Sequence, residues 1–156
     1  MAKEQLKHQY FSLKAKMMIK KQKNNSEKVI LDKPLNRWKV AFLTTAGVHL
    51  KSQTPFKVEE GDYTVHLIPS SVPNEQLMIT HTHYDTSDAD EDINCVFPLP
   101  ILRTLAEQDV IGEVAETHYG MMGYIPNVDH LYEHSIPLII EKLRNENVDV
   151  LLASPG

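Results

Sequence analysis

The sequence predicts an α/β domain in which three layers are built around a mostly parallel sheet. Three observations carry that prediction. Trp38 to Thr45 is an apolar, β-branched run that stops at Ala46 and Gly47, as a buried strand leading into a tight loop would. Val148 to Ala153 is a second run of the same kind. Between them, Leu99 to Gln108 and Val128 to Asn145 space their apolar residues at three and four, the period of a helix. Apolar strands separated by amphipathic helices build a sheet covered on both faces, the open Rossmann-like architecture.

The elements follow in order. Residues 3–22 place Leu6, Tyr10, Leu13, Met17 and Met18 among lysines, which predicts an amphipathic helix. Asn24, Asn25 and Ser26 break it, and Pro34 marks the entry to the next unit, so residues 1–36 read as a basic helical extension and residues 37–156 as the α/β domain. After the first strand, Tyr63 to Ile68 alternates and stops at Pro69, and Leu77 to Thr80 is a further β-branched stretch; both predict strands. Pro98 and Pro100 suit the first turn of the helix from Leu99, where amide partners are missing in any case. Pro137 lies inside the second helix and is expected to kink or split it. Val148 to Ala153 is expected to be buried on both faces, with Ser154-Pro155-Gly156 opening a loop. Because the loops after such strands carry the ligand site, and a covering helix normally follows, the chain is expected to be truncated at its carboxyl end.

Charge divides the chain more sharply than its total suggests. The formal net charge is -5, yet residues 1–39 hold 11 Lys/Arg against 3 Asp/Glu and the remainder 5 against 18. No apolar run has membrane-spanning length, and the lysine-rich start lacks the apolar core of a signal peptide. A lone cysteine, Cys95, makes no intrachain disulfide and is expected to be buried and inert. A cytoplasmic protein is expected, with neither membrane nor nucleic acid as partner.

Three strand-end segments gather chemistry-bearing residues. The densest runs from His81 through His83, Tyr84, Asp85, Ser87, Asp88, Asp90 and Asp92 to Asn94, directly after a predicted strand. His81, His83 and Asp85 are ligand types for a hydrolytic metal, but further ligands would have to come from distant His118 or His49. The acids serve equally as caps whose side-chain oxygens accept backbone amides, and no metal is expected. The second segment is His118, Tyr119, Gly120, Met121, Met122, Gly123 and Tyr124, where glycines admit a close ligand and large side chains could wall a pocket; a core turn fits it as well. Thr44 to His49 is the third. None of the three supplies a convincing nucleophile.

Taken together, Thr44 to Lys51 (TTAGVHLK), Gly61-Asp62-Tyr63, His83 to Pro98 (HYDTSDADEDINCVFP) and Val148 to Leu152 (VDVLL) resemble the glycine/sarcosine/betaine/D-proline reductase selenoprotein B family. The resemblance runs from Trp38 to Gly156. It implies a selenocysteine, or a cysteine in its place, in the loop after the strand Val148 to Ala153, so that the catalytic nucleophile would stand directly after Gly156 and the 156-residue form alone would be inactive. It further implies reductive cleavage of an α-C–N bond of an amino acid or amine, with a pyruvoyl group on a partner subunit and a thiol or thioredoxin-type reductant. No cofactor bound by this chain itself is expected, and the protein would be an oligomer. On the family reading His83 and Asp85 serve proton transfer or orientation. Thr45, Gly47, His49, Tyr84, Ser87, Asp88, Asp90, Asn94, His118, Tyr119 and Gly123 would line or shape the substrate site. Two other readings are a metal-dependent hydrolase using His81, His83 and Asp85, and a non-catalytic binding module.

Overall fold

The computed structural model describes residues 29–82 and 84–155. The helix expected over residues 3–22 and His83 lie outside the described residues. From Leu31 onward the chain forms one unit. Its strands are β1 (Lys39–Thr44), β2 (Val48–Leu50), β3 (His66–Pro69), β4 (Leu77–Ile79), β5 (Glu113–Val114), β6 (Thr117–Gly120) and β7 (Val150–Ser154). Its main helices are α1 (Ser87–Glu91), α2 (Leu99–Glu107) and α3 (Ile136–Asn145).

β1 is the axis of the sheet. Its odd-numbered residues bond along β7, where Val40↔Val150 through Thr44↔Ser154 pair in parallel. Its even-numbered residues face β5 and then β6, also parallel, with Lys39↔Glu113 at one end and Leu43↔Tyr119 at the other. The register shifts by two residues between those pairs, so β5 and β6 are one strand interrupted by a bulge at Ala115 and Glu116. β3 closes the far side antiparallel to β6. β2 and β4 form a separate antiparallel ribbon.

Alternation along β1 divides the core into two. Val40 and Phe42 point to one face with Phe97, Leu99, Leu102 and Ile111, which α2 and the segments flanking it bring down. Ala41 and Leu43 point to the other with Tyr119, Met121, Ile139 and Leu143, the last two from α3. The result is an α/β fold with a helix on each side of a mixed, mainly parallel sheet. Both helices stop at a residue in the left-handed region, Asp109 (φ 57°) after α2 and Asn147 (φ 55°) after α3, conformations in which a helix end can satisfy its last carbonyls.

One sequence expectation changes. β7 is an edge rather than a strand buried on both faces: it pairs only with β1 among the described strands, and Leu152 is 43% exposed. Pro137, expected to kink or split the helix over Val128 to Asn145, stands just after the point where it is divided. A helical turn at Val128–His130 passes into a π turn at Leu131–Ser135, and α3 begins with Pro137 in its first turn. Proline has no amide to give and its ring crowds the carbonyl four residues back, so the widened turn before it absorbs the conflict. Among the described residues no helix is long and apolar enough to cross a membrane.

Candidate functional site

The carboxyl ends of β1, β6 and β7 are stitched into one surface. The Thr45 amide donates to Ser154 O (3.1 Å), joining the exit of β1 to the exit of β7. Met121 N donates to Thr44 O (2.9 Å), Gly47 N donates to Met121 O (2.8 Å), and Ala46 pairs with Met122, joining it equally to β6. The chain turns because Thr44 Oγ1 accepts from Ala46 N (3.1 Å) and because Gly47 takes φ +79°. A Cβ on Gly47 would lie 2.4 Å from Thr80 O, so only glycine lets the β4 exit press in at this point.

That contact delivers His81. Thr80 N donates to Gly47 O (2.9 Å), and the Tyr84 hydroxyl donates to Ala46 O (3.0 Å), which clamps both ends of the segment onto the β1 loop. The His81 and Tyr84 rings lie 4.7 Å apart between centroids. Across from them Gly123 leaves a bare spot. A Cβ built there would stand 3.3 Å from Thr45 O and 3.6 Å from both Thr45 Oγ1 and His81 Nε2. Thr45, His81 and Tyr84 are half-buried and Gly123 is exposed, so the spot opens to solvent.

The position fits a general rule of open α/β sheets. The strands parallel to β1 are added first on one side, at β5 and β6, and then on the other, at β7, with α2 and α3 covering opposite faces. The crevice between the carboxyl ends where the order reverses is where such sheets bind ligands. Here it lies between Thr45 and Ser154. A cleft of about 340 Å³ lined by Gly61, Asp62, Tyr63, Ile125 and His130 continues from the chain just beyond Gly123.

Of the residues singled out in the sequence, Thr45, Gly47, Tyr84 and Gly123 meet at this point. Others are placed differently. His49 is fully buried in β2, with Nδ1 2.8 Å from Leu50 O and Nε2 2.8 Å from Thr80 Oγ1, and its ring packs near Phe56 and His66. Burial lowers the pKa of His66, and the neighbouring His49 lowers it further. His118 and Tyr119 lie inside β6 rather than in a loop, both fully buried. Asp85 accepts from the amide (3.1 Å) and hydroxyl (2.6 Å) of Ser87, and these bonds hold its carboxyl below the usual range. Asp90 accepts from the Thr86 hydroxyl (2.8 Å), and Asp92 caps the turn at Asn94 through the Asn94 amide (3.0 Å). Asp88 is exposed on α1. Among the described residues no three His, Cys, Asp or Glu side chains gather as metal ligands would. Cys95, expected to be buried, is exposed on a short 3-10 turn.

His118 has a structural task that the bulge creates. Even-numbered amides of β1 look for acceptors on β5 and β6, but at Phe42 the bulge has carried the neighbouring backbone away. His118 Nδ1 takes its place, accepting from Phe42 N at 2.9 Å. The ring is therefore neutral with its proton on Nε2, and burial pulls its pKa down to about 4 against a smaller upward pull from Glu146. The amides the bulge frees, those of Glu116 and Thr117, donate to Glu146 Oε2 at 2.9 and 3.1 Å. Burial pushes the Tyr119 hydroxyl up to about 12, with Glu146 adding to the shift. Tyr84 is raised as well, by burial first and then by Asp90.

Sequence reasoning missed the contribution of Ser154 and of the Met121-Met122 backbone, which join the site through main-chain bonds that carry no residue-type signal. The comparisons with known proteins bear on the same region. No solved structure matches the chain. It is 36% identical over 124 residues to D-proline reductase subunit gamma of Acetoanaerobium sticklandii, an alignment that covers 80% of this chain and 51% of that protein. The chain thus spans about half the length of that relative. The family model described as glycine/sarcosine/betaine reductase selenoprotein B matches residues 1–155, and on that match the chain belongs to the glycine/sarcosine/betaine reductase selenoprotein B family.

Proposed function

We propose that this chain forms the α/β scaffold of a reductase subunit that cleaves the α-C–N bond of an amino acid or amine, with the reacting centre at the carboxyl ends of β1 and β7. The observation that carries the reading is the bond from Thr45 N to Ser154 O at the point where strand order reverses. It fixes the start of the loop after β7 against the β1 loop of Gly47, onto which the segment after β4, with His81 and Tyr84, is clamped. In the whole protein the loop after β7 carries a selenocysteine or cysteine, which supplies an anionic nucleophile for the substrate carbon. A partner subunit brings a pyruvoyl group to hold the substrate nitrogen, and a thiol or thioredoxin-type protein supplies the reducing equivalents.

This chain's own residues hold the site together. Thr45 anchors the β7 exit, Gly47 admits the β4 exit, and Tyr84 ties the His81 segment to Ala46. Asp85, through its bonds to Ser87, sets the start of α1, and we assign it orientation of the segment that contains His83. The relative's printed name motivates D-proline as the first substrate to try.

The test is turnover by the full-length protein assembled with its partner subunits and a dithiol, offered D-proline, glycine, sarcosine and betaine in turn. The expected result is reductant-dependent consumption of one of them, and none with residues 1–156 in place of the full-length protein. Turnover by residues 1–156 alone, or no turnover of any of the four by the full assembly, would contradict the proposal.

A further inference from the structure

The loop of Gly61, Asp62 and Tyr63 and the turns from Val128 to Ser135 meet at the cleft of about 340 Å³. The helical turn at Val128–His130 passes into the π turn at Leu131–Ser135, and widened turns of this kind are frequent at functional sites. His130 and His134, four residues apart, stay on one side of it, with ring centroids 5.8 Å apart. The Tyr63 ring lies against both, 4.9 Å from His130 and 5.8 Å from His134. Its loop is held there by the backbone. The Ser135 hydroxyl donates to Tyr63 O, Asp62 N donates to Tyr124 O (3.2 Å), and a Cβ on Gly61 would collide with Pro126, so only glycine permits the approach. Among the described residues these ring contacts are the only interactions of the two imidazoles, and no hydrogen bond or ion pair occupies their nitrogens.

We infer that His130 and His134 form a two-histidine site for a first-row divalent ion of the zinc class, with Tyr63 as the residue that positions the rings. An ion bound at the usual zinc–nitrogen distance stands about 3.2 Å from an imidazole centroid, so two rings sharing one ion have centroids no more than about 6.4 Å apart. The 5.8 Å separation lies inside that limit. The run His130-Leu131-Tyr132-Glu133-His134 also has the H-x-x-E-H spacing of one class of zinc site. Catalytic zinc takes three protein ligands. Here no three His, Cys, Asp or Glu gather among the described residues, and the nearby Asp62 carboxylate is spent on the amides of Lys57 (3.1 Å) and Thr64 (2.8 Å). The site is therefore one of binding rather than hydrolysis, and its other positions go to water or to oxygen and nitrogen atoms of a ligand in the cleft that His130 lines. It stands on these side chains and is independent of the reductase reading.

The experiment is histidine modification of the full-length protein by diethyl pyrocarbonate, located by mass spectrometry over a titration with Zn²⁺ or Mg²⁺. Cys95→Ser serves as the background so that the exposed thiol takes no part. Zn²⁺ is expected to shield His130 and His134 together, at one concentration, and Mg²⁺, which takes oxygen ligands, to shield neither. His134 is exposed, so His134→Ala is expected to keep the fold while raising the Zn²⁺ concentration that shields His130 about tenfold or more, since one imidazole makes no chelate. His134→Cys, which restores a zinc ligand, is expected to bring the shielding of His130 back toward the wild-type concentration. His130 and His134 modified equally fast with and without Zn²⁺, or His130 shielded at the wild-type concentration in His134→Ala, would overturn the site. Shielding by Mg²⁺ as strong as by Zn²⁺ would overturn the assignment of the ion.

Discussion

At the scale of single residues, the same residue type serves opposite ends. His81 stands at a solvent-open crevice, whereas His118 is sealed in the sheet as a substitute for a backbone carbonyl. Nothing in the sequence separates them. Both sit in polar, strand-end-like segments, and a histidine acting as a ladder acceptor becomes visible only once the bulge at Ala115 and Glu116 is known. The pH dependence of stability makes the difference measurable. The His118 pKa of about 4 lies below its ordinary value of 6.5, so between those values the unfolded chain binds the extra proton. Its contribution is complete above pH 6.5 and is lost as the pH falls toward 4, amounting to about 3 kcal/mol for a shift of that size. His66, lowered by burial and by His49, acts in the same direction. His118→Asn, which offers an oxygen to the Phe42 amide without titrating, is expected to flatten that limb in urea unfolding followed from pH 7 to pH 4. An unchanged slope would mean that His118 does not carry it.

At the scale of elements, what the sequence made legible was whatever depends on local pattern. β1, β4 and α2 lie within a residue or so of their expected bounds, because apolar continuity and helical spacing are strong local signals. β3 begins later than its alternation suggested, at His66. β2, β5 and β6 were not foreseen: each is four residues or fewer, and β5 and β6 owe their form to partners on β1 and to a carboxylate from the end of α3. That carboxylate is a test of the bulge. Glu146→Ala leaves the amides of Glu116 and Thr117 without their acceptor, and the expected cost is about 1–2 kcal/mol, since the Thr117 amide is partly shielded from water. Removing the charge also removes an upward pull on His118, so its titration, followed by NMR, is expected to move further down. A stable variant with an unmoved His118 would show that the bulge holds without Glu146.

At the scale of the whole molecule, strand order decides where chemistry can happen. The sequence suggested that the segments near Thr45, His81 and Gly123 gather at strand ends; Thr45 and Gly123 follow β1 and β6 of the main sheet, whereas His81 follows β4 of the separate ribbon and reaches them through the contact of Thr80 with Gly47. It could not show that β7 lies on the far side of β1 from β6, because strand order is set by pairing across the chain rather than by any local run. That order is what brings the exit of β7 beside Thr45 and makes the loop after it the centre of the functional account. The claim is tested most directly by alkylating the full-length protein with iodoacetamide under reducing conditions, with and without D-proline, and locating the label by mass spectrometry. The exposed thiol of Cys95 is first removed as Cys95→Ser so that it does not take up label. The account predicts one dominant adduct, on a selenocysteine or cysteine within a few residues after β7, protected by substrate; an unlabelled β7 loop, or a substrate-protected adduct elsewhere in the protein, would contradict it.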